Sequence, residues 1–359
     1  MTDAGVTGGA TRSTWRRVWP FLKYVVGLGL AALALWALTG REGELSGASG
    51  YFDHLRWGWV GLAVLAEAGS LVAFALIQRV LLEAGGVVVP TRRLTGITVA
   101  ATAIANSIPA GPVVSAVFTF RQYRSRGADE ALAGWTLAAV FVAASVSLAL
   151  VAGVGVAIAG AEGAGLDLVG VTVAVLLGAL AMGAVFLQRR VLVWLVSAVV
   201  RTSIRLVRWP KGEAAQNAER IIERLTVVTL SFRQVLATLG WALANWVLDC
   251  GCFALSFTAV GAGIPWRGLL LAYGAGQLAA NLPITPGGLG VVEGSLTIAL
   301  TEFGGAHAST YAAVLVYRIL SFWLELPIGW ATWGAYAWAR RPARARTAVP
   351  ARVAEEVTP

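Results

Sequence analysis

The sequence Asn281-Leu-Pro283-Ile-Thr-Pro286-Gly-Gly-Leu-Gly290 interrupts a long apolar segment near the C-terminus, and Asn106-Ser-Ile-Pro-Ala-Gly-Pro interrupts an earlier one. A helix that breaks in lipid leaves backbone N–H and C=O groups unsatisfied. Such breaks therefore persist where the backbone is buried in protein or lines a polar cavity. In transporters, paired broken helices in the two halves of a chain point to the substrate site. The two breaks therefore favour a membrane transport protein.

The composition agrees with a helical membrane protein. Apolar residues make up 57% of the 359 residues and charged residues 13%, and the mean hydropathy is +0.72. The excess of basic residues lies between the apolar segments, where membrane orientation and anionic lipid explain it better than nucleic acid. The two cysteines (Cys250 and Cys252) and two histidines (His54 and His307) have no metal-ligand spacing. We expect no metal and no cofactor.

Eight apolar segments are predicted, and the third and seventh contain the breaks. Each limb of these two is too short for a hydrocarbon core of about 30 Å, so we expect re-entrant hairpins. Basic residues flank both ends of the third segment but not of the seventh, which places the hairpins on opposite sides. With cytoplasmic termini, 23 of the 28 Lys and Arg residues fall inside. The segments are 18–39, 58–84, 94–121, 130–160, 166–188, 234–261, 268–302 and 310–338.

The two halves also resemble each other in sequence. Two similar runs lie the same number of residues before the two asparagines. Val-Pro90-Thr-Arg-Arg-Leu precedes Asn106, and Ile-Pro265-Trp-Arg-Gly-Leu precedes Asn281. The fold predicted is an all-α polytopic membrane protein, with six spanning helices and two opposed re-entrant helical hairpins in an inverted-topology repeat. The predicted units are one domain at 15–341, with repeats at about 58–160 and 234–338, a cytoplasmic connector at 189–233, and disordered tails at 1–14 and 342–359.

Several quoted residues carry a family resemblance. The run from Pro283 to Gly294, followed by Tyr317-Arg and Pro327-Ile-Gly, resembles the flippase-like transmembrane family of lysylphosphatidylglycerol synthases. The basic run after the first break resembles an actinobacterial-looking branch. The resemblance implies a multi-pass protein of the bacterial inner (cytoplasmic) membrane that moves lipids between leaflets. Because the chain ends soon after its last predicted helix, we expect no aminoacyl-transfer domain and no enzyme activity.

Charged side chains within the membrane segments are the first candidate site residues, because such groups are costly in lipid. Glu293, Arg318 and Glu325 are expected to form a pair or triad, which serves either as a structural clamp or as a substrate or proton site. Glu67 and Asp249 lie in the middle of helices. Each is either a proton relay or a buried neutral acid.

The hairpin tips are the second candidate site. A helix that starts after the Pro-Gly-Gly break points free N–H groups at the membrane midplane, which suits a phosphate head group. The asparagines either satisfy broken backbone or contact substrate. The basic run either gathers lipid head groups or only orients the chain. The predicted tip residues are Asn281, Pro283, Pro286, Gly287, Gly288, Gly290, Asn106, Pro109, Gly111 and Pro112, and the head-group residues are Arg121, Arg124 and Arg126.

These features favour a lipid translocase that moves an anionic phospholipid or a polyprenyl-phosphate-linked lipid by alternating access. A proton-coupled transporter of a small anion and a non-transporting scaffold for envelope synthesis are the alternatives. A membrane glycosyl or acyl transferase would need a base and a donor site, and the sequence offers only scattered acids. The partners expected are anionic membrane lipids and no nucleic acid, with a homo-oligomer and a separately encoded lipid-modifying enzyme left open.

Overall fold

A computed structural model of the chain describes residues 50–108, 111–160, 170, 230–280 and 286–339. Over these ranges the chain is helical and contains no strand, which confirms the predicted all-α class. The predicted segments 18–39 and 166–188 (apart from residue 170), both tails and connector residues 189–229 lie outside the described residues.

The helices form two units, each with a long helix, two shorter helices and a further long segment, which in the second unit contains a π-turn. The first unit contains α1 (Trp57–Ala84), α2 (Thr91–Ser107), α3 (Gly111–Arg124) and α4 (Glu130–Gly160). The second contains α5 (Phe232–Ala259), α6 (Trp266–Ala280), a 3₁₀ turn (Pro286–Gly288), α7 (Val291–Glu302), α8 (His307–Arg318), a π-turn (Ile319–Trp323) and α9 (Glu325–Ala339).

Four helical segments are long and apolar enough to cross a membrane: α1, α4, α5 and the continuous stretch His307–Trp338. They coincide with the predicted segments 58–84, 130–160, 234–261 and 310–338. Large apolar side chains remain exposed along them, such as Leu65 and Phe141. A helix with apolar side chains on its outer face is typical of contact with lipid.

Helices α1 and α5 form the most extensive helix pair in the described chain. The amide of Asn245 donates to the Ser70 hydroxyl at 2.7 Å near the middle of the pair. At one end, the backbone N–H of Arg56 donates to the carbonyl of Ala259 at 2.9 Å. The start of α1 thus meets the end of α5, so the two helices run antiparallel.

The first break forms a tight helical hairpin. A Cβ added to Gly111 would collide with the carbonyl of Ala105, so only glycine lets the start of α3 approach the end of α2. Further along, the Ser115 hydroxyl donates to the carbonyl of Ala101 at 2.8 Å. These two contacts show that α2 and α3 are antiparallel limbs.

The second break also folds into a hairpin, between α6 and α7. Gly276 packs against Leu296, and Gly288 packs against Ala280. Gly287 and Gly288 have φ of 61° and 68°, a left-handed conformation that glycine adopts at little cost. The two glycines therefore let the chain turn into α7 beside the end of α6.

Each hairpin packs against the last helix of the other unit. Helix α2 packs against α9, where Gly329 lies directly against Ala103 and the backbone of Val99. Helix α6 packs against α4, where a Cβ on Gly155 would lie 2.5 Å from the backbone nitrogen of Leu271. The packing between the units is therefore reciprocal, and small residues set it.

Candidate functional site

A cavity of about 250 Å³ lies where the two units meet. A single water molecule needs only about 10–15 Å³ by this measure, so the cavity has room for several waters or a small polar group. Its lining comes from α1, α2, α5, α6, α8, α9 and the two short turns. Its charged residues are Glu67, Asp249, Arg318 and Glu325, and its uncharged polar residues include Ser70, Thr98, Thr102, Asn106, Asn245 and Gln277.

A buried ion pair ties α8 to the tip of the second hairpin. The Nε of Arg318 lies 2.7 Å from Oε1 of Glu293, and both side chains are buried. Arg318 Nη2 donates to the carbonyl of Gly287 at 2.9 Å, and its guanidinium lies over the ring of Phe322. The structure thus shows the contact between Glu293 and Arg318, and it fixes the hairpin tip to α8.

Asp249 is held by three donors inside the cavity. Its carboxylate accepts hydrogen bonds from the hydroxyl of Tyr273 at 2.6 Å and from the hydroxyl of Tyr317 at 2.9 Å. The amide of Gln277 donates a third at 3.2 Å. These donors satisfy both oxygens of the buried carboxyl group.

Glu67 and Glu325 meet across the junction of the units. Both side chains are buried, and the carboxyl group of Glu67 lies within hydrogen-bonding reach of those of Glu325 and Asp249. A π-turn separates Glu325 from Arg318, and the N–H of Leu324 donates there to the carbonyl of Ile319. Such wide turns often occur at functional sites. Three acids from three helices thus share one small volume.

The structure places the predicted tip residues in several positions. Asn106 and Gly287 line the cavity, and Gly288 is buried beside it. The N–H of Gly290 donates to Oε2 of Glu293 at 2.7 Å, so Glu293 itself takes up one N–H of the predicted anion cradle. Gly111 packs against α2, Pro112 is exposed, and Pro286 begins the 3₁₀ turn. Asn281, Pro283 and Pro109 lie outside the described residues.

The three arginines after the first hairpin do not line the cavity. Arg121 is exposed at the end of α3. Arg124 forms an ion pair with Glu130 at 3.2 Å. Arg126 donates to Gln122 and lies over the ring of Tyr336. Arg124 therefore links the end of α3 to the start of α4, and Arg126 links the end of α3 to α9.

Comparison with known proteins places the sequence in a family. Residues 22–329 match the family described as the lysylphosphatidylglycerol synthase TM region. The chain belongs to this family. A UPF0104 membrane protein of Methanothermobacter thermautotrophicus is 31% identical over 84 residues, which cover 23% of this chain and 25% of that protein. The matched part is thus about a quarter of the relative's length. The family match confirms the resemblance and includes both breaks and every charged residue of the cavity.

Several residues at the site of this family member were not predicted from the sequence. Gln277, Asn245 and Thr98 are polar residues in apolar helices, and a search for every such residue would have found them. Tyr273 does not line the cavity but donates to Asp249, and a tyrosine in an apolar segment is a weak signal because tyrosine is common at membrane interfaces. Within the described ranges, no three His, Cys, Asp or Glu side chains are grouped to hold a metal ion.

Proposed function

We propose that the protein translocates a phosphate-bearing lipid, an anionic phospholipid or a polyprenyl-phosphate-linked lipid. The head group passes through the cavity while the acyl chains stay in the bilayer. The observation that carries this proposal is a charged cavity lined by helices of membrane-spanning length from both units. Ionisable groups at membrane depth are costly and mark substrate pathways.

The arrangement of the units supports alternating access. The two units share this order of long and shorter helical segments, α1 and α5 run antiparallel, and each hairpin packs against the last helix of the other unit. We infer an inverted-topology repeat whose two short-limbed hairpins are re-entrant from opposite sides. Rocking of one unit against the other would then open the cavity to each leaflet in turn.

The cavity offers complementary groups for a lipid head group. Arg318 supplies positive charge for a phosphate, and its Nε and Nη2 are already held in place. The amides of Asn106 and Gln277 can donate to phosphate or sugar oxygens. The family's name ties its members to a phosphate-containing lipid. The exposed Arg121 would attract anionic head groups before they reach the cavity.

The distribution of basic residues supports one orientation. We propose that the protein lies in the bacterial inner membrane with both termini cytoplasmic, because 23 of its 28 Lys and Arg residues then fall on the cytoplasmic side. The first hairpin, flanked by the arginines near residues 92 and 121–126, would open inward. The second would open outward.

A leaflet-resolved assay tests the function. Purified protein is reconstituted into vesicles that contain fluorescent phosphatidylglycerol or a fluorescent polyprenyl phosphate, and a membrane-impermeant quencher is added outside. Without translocation, about half of the fluorescence stays protected in the inner leaflet. We expect the wild type to expose most of that pool for at least one of the two lipids.

Two tryptophan substitutions give a matched comparison. Ser321→Trp places a large ring in the cavity wall and should block translocation. Ala335→Trp adds the same ring to an exposed position of α9 and should not. Wild-type vesicles that never expose the inner pool of either lipid would refute lipid translocation. Uptake of a soluble anion by the same vesicles would then favour the solute transporter, and intact envelope function despite Ser321→Trp would favour the scaffold.

A further inference from the structure

Glu67 is a buried acid of the cavity, and one of its two carboxyl oxygens has no hydrogen-bond partner. Its side chain is 8% exposed, it lines the cavity, and its Oε2 is buried with no hydrogen-bond partner. A polar atom buried without a partner is costly, and unsatisfied groups in native structures call for a physical explanation. Something beyond the ordinary side-chain donors must therefore satisfy this oxygen.

The neighbours of Glu67 are mostly acceptors. Glu325 and Asp249 lie within hydrogen-bonding reach, and an ionised carboxylate has no proton to donate. The thiol of Cys252 also lies close but is only a weak donor. On α2 and α4, which also pack against α1, the ionisable residues are Arg92, Arg93 and Glu130 at the helix starts. No strong donor from the described helices around α1 reaches Oε2.

The positively charged residue of the cavity is bonded to groups other than Glu67 and Glu325. Arg318 is paired with Glu293 and bonded to the carbonyl of Gly287. Asp249 accepts three hydrogen bonds, two of them from the hydroxyls of Tyr273 and Tyr317. The carboxyl oxygens of Asp249 therefore have strong donors. Oε2 of Glu67 has none, and Glu67 and Glu325 cannot both be charged, because two neighbouring like charges repel each other in a medium of low dielectric.

We propose that Glu67 and Glu325 hold one proton between them and form a proton-binding site in the cavity. The proton makes one carboxyl a donor to the other and removes one negative charge. Glu67 belongs to α1 of the first unit and Glu325 to α9 of the second. A movement that separates the units would part the two carboxyl groups, admit water and release the proton to it. This second step rests on the proposed function, because it couples proton release to transport.

Infrared spectroscopy tests the site without any transport. A protonated carboxyl group has a C=O stretch separate from that of a carboxylate. We expect the difference spectrum of the purified protein between neutral and alkaline buffer to show this band. Glu67→Gln and Glu325→Gln should abolish it, because each amide supplies a permanent donor in nearly the same shape. Glu302→Gln, at an exposed position of α7, should leave it unchanged. A band absent from the wild type, or present in both cavity variants, overturns the proposal.

A pH gradient across the reconstituted vesicles tests the coupling. We expect the gradient to change the rate of fluorescent-lipid translocation by the wild type and by Glu302→Gln, and to leave the rate of Glu67→Gln unchanged. A wild-type rate that ignores the gradient overturns the coupling, although translocation itself still stands. A wild type with the infrared band and no translocation supports the proton site and refutes the proposed function.

Discussion

Removal of Arg318 should be among the most damaging single changes in the described chain. Arg318→Met would leave the carboxylate of Glu293 buried at 7% exposure, with the Gly290 N–H as its remaining bond from the hairpin tip. It would also free the carbonyl of Gly287. Breaking one side of a buried ion pair costs about 3–5 kcal/mol, a large share of the ~5–15 kcal/mol that stabilises a typical domain. Glu293→Gln should cost a similar amount, because it strands the guanidinium.

A double-mutant cycle turns this into a sharp test. With both changes together, neither charge is left unpaired, so we expect the double variant to recover about 2–3 kcal/mol relative to the sum of the single variants. The assay is unfolding by a denaturing detergent in mixed micelles, followed by circular dichroism. The matched control is the exposed pair of Arg124 and Glu130, for which the same cycle should give less than about 1 kcal/mol. Single variants at Glu293 and Arg318 that lose less than 1 kcal/mol, or that add independently, would refute the clamp.

Three further predictions use the same unfolding assay. Gly287→Ala should lower the free energy of unfolding more than Gly290→Ala does. Both glycines have positive φ, but only at Gly287 would a Cβ collide with a neighbouring ring, that of Phe322. Equal losses of stability would contradict this packing. Gly329→Ala should lower the free energy of unfolding by about 1–3 kcal/mol, because the added Cβ pushes α9 away from α2. Gly334→Ala on the same helix meets open space and should leave stability unchanged or raise it. The reverse order would exclude the α2–α9 contact. Tyr317→Phe removes a donor from the central aspartate and should cost about 1.5–3 kcal/mol, and no loss of stability would show that this bond contributes nothing.

Hydropathy and the Pro/Gly breaks predicted much of the described fold. Segment lengths located α1, α4, α5 and the final helix, because an apolar run long enough to cross a bilayer has few other structures available. The breaks at Gly111 and Gly287 marked the hairpins for a similar reason. The reciprocal packing of α2 on α9 was not predictable, because contacts such as Gly329 against Val99 depend on chain topology rather than on local sequence.

The site was predicted in its charges and only in part in its partners, because the structure shows the Glu293–Arg318 pair but not Glu325 bonded to it. The cost of burying charge singled out Glu67, Asp249, Glu293, Arg318 and Glu325, and four of them line the cavity. Helical spacing put Arg318 and Glu325 on one face. Sequence spacing could not show that Arg318 pairs with Glu293 while Glu325 faces Glu67, because that choice depends on the π-turn between them and on how α1 approaches α9.

The reciprocal packing also bears on how the chain is made. Helix α2 packs against α1 and α3 and most extensively against α9, which begins about 220 residues after α2 ends. At a synthesis rate of about 5–20 residues per second, the first hairpin waits on the order of 10–40 s for that partner. During this time the face of α2 around Gly96 and Ala103 is not yet covered by α9. The first hairpin therefore reaches its final packing only when the last helix has been made.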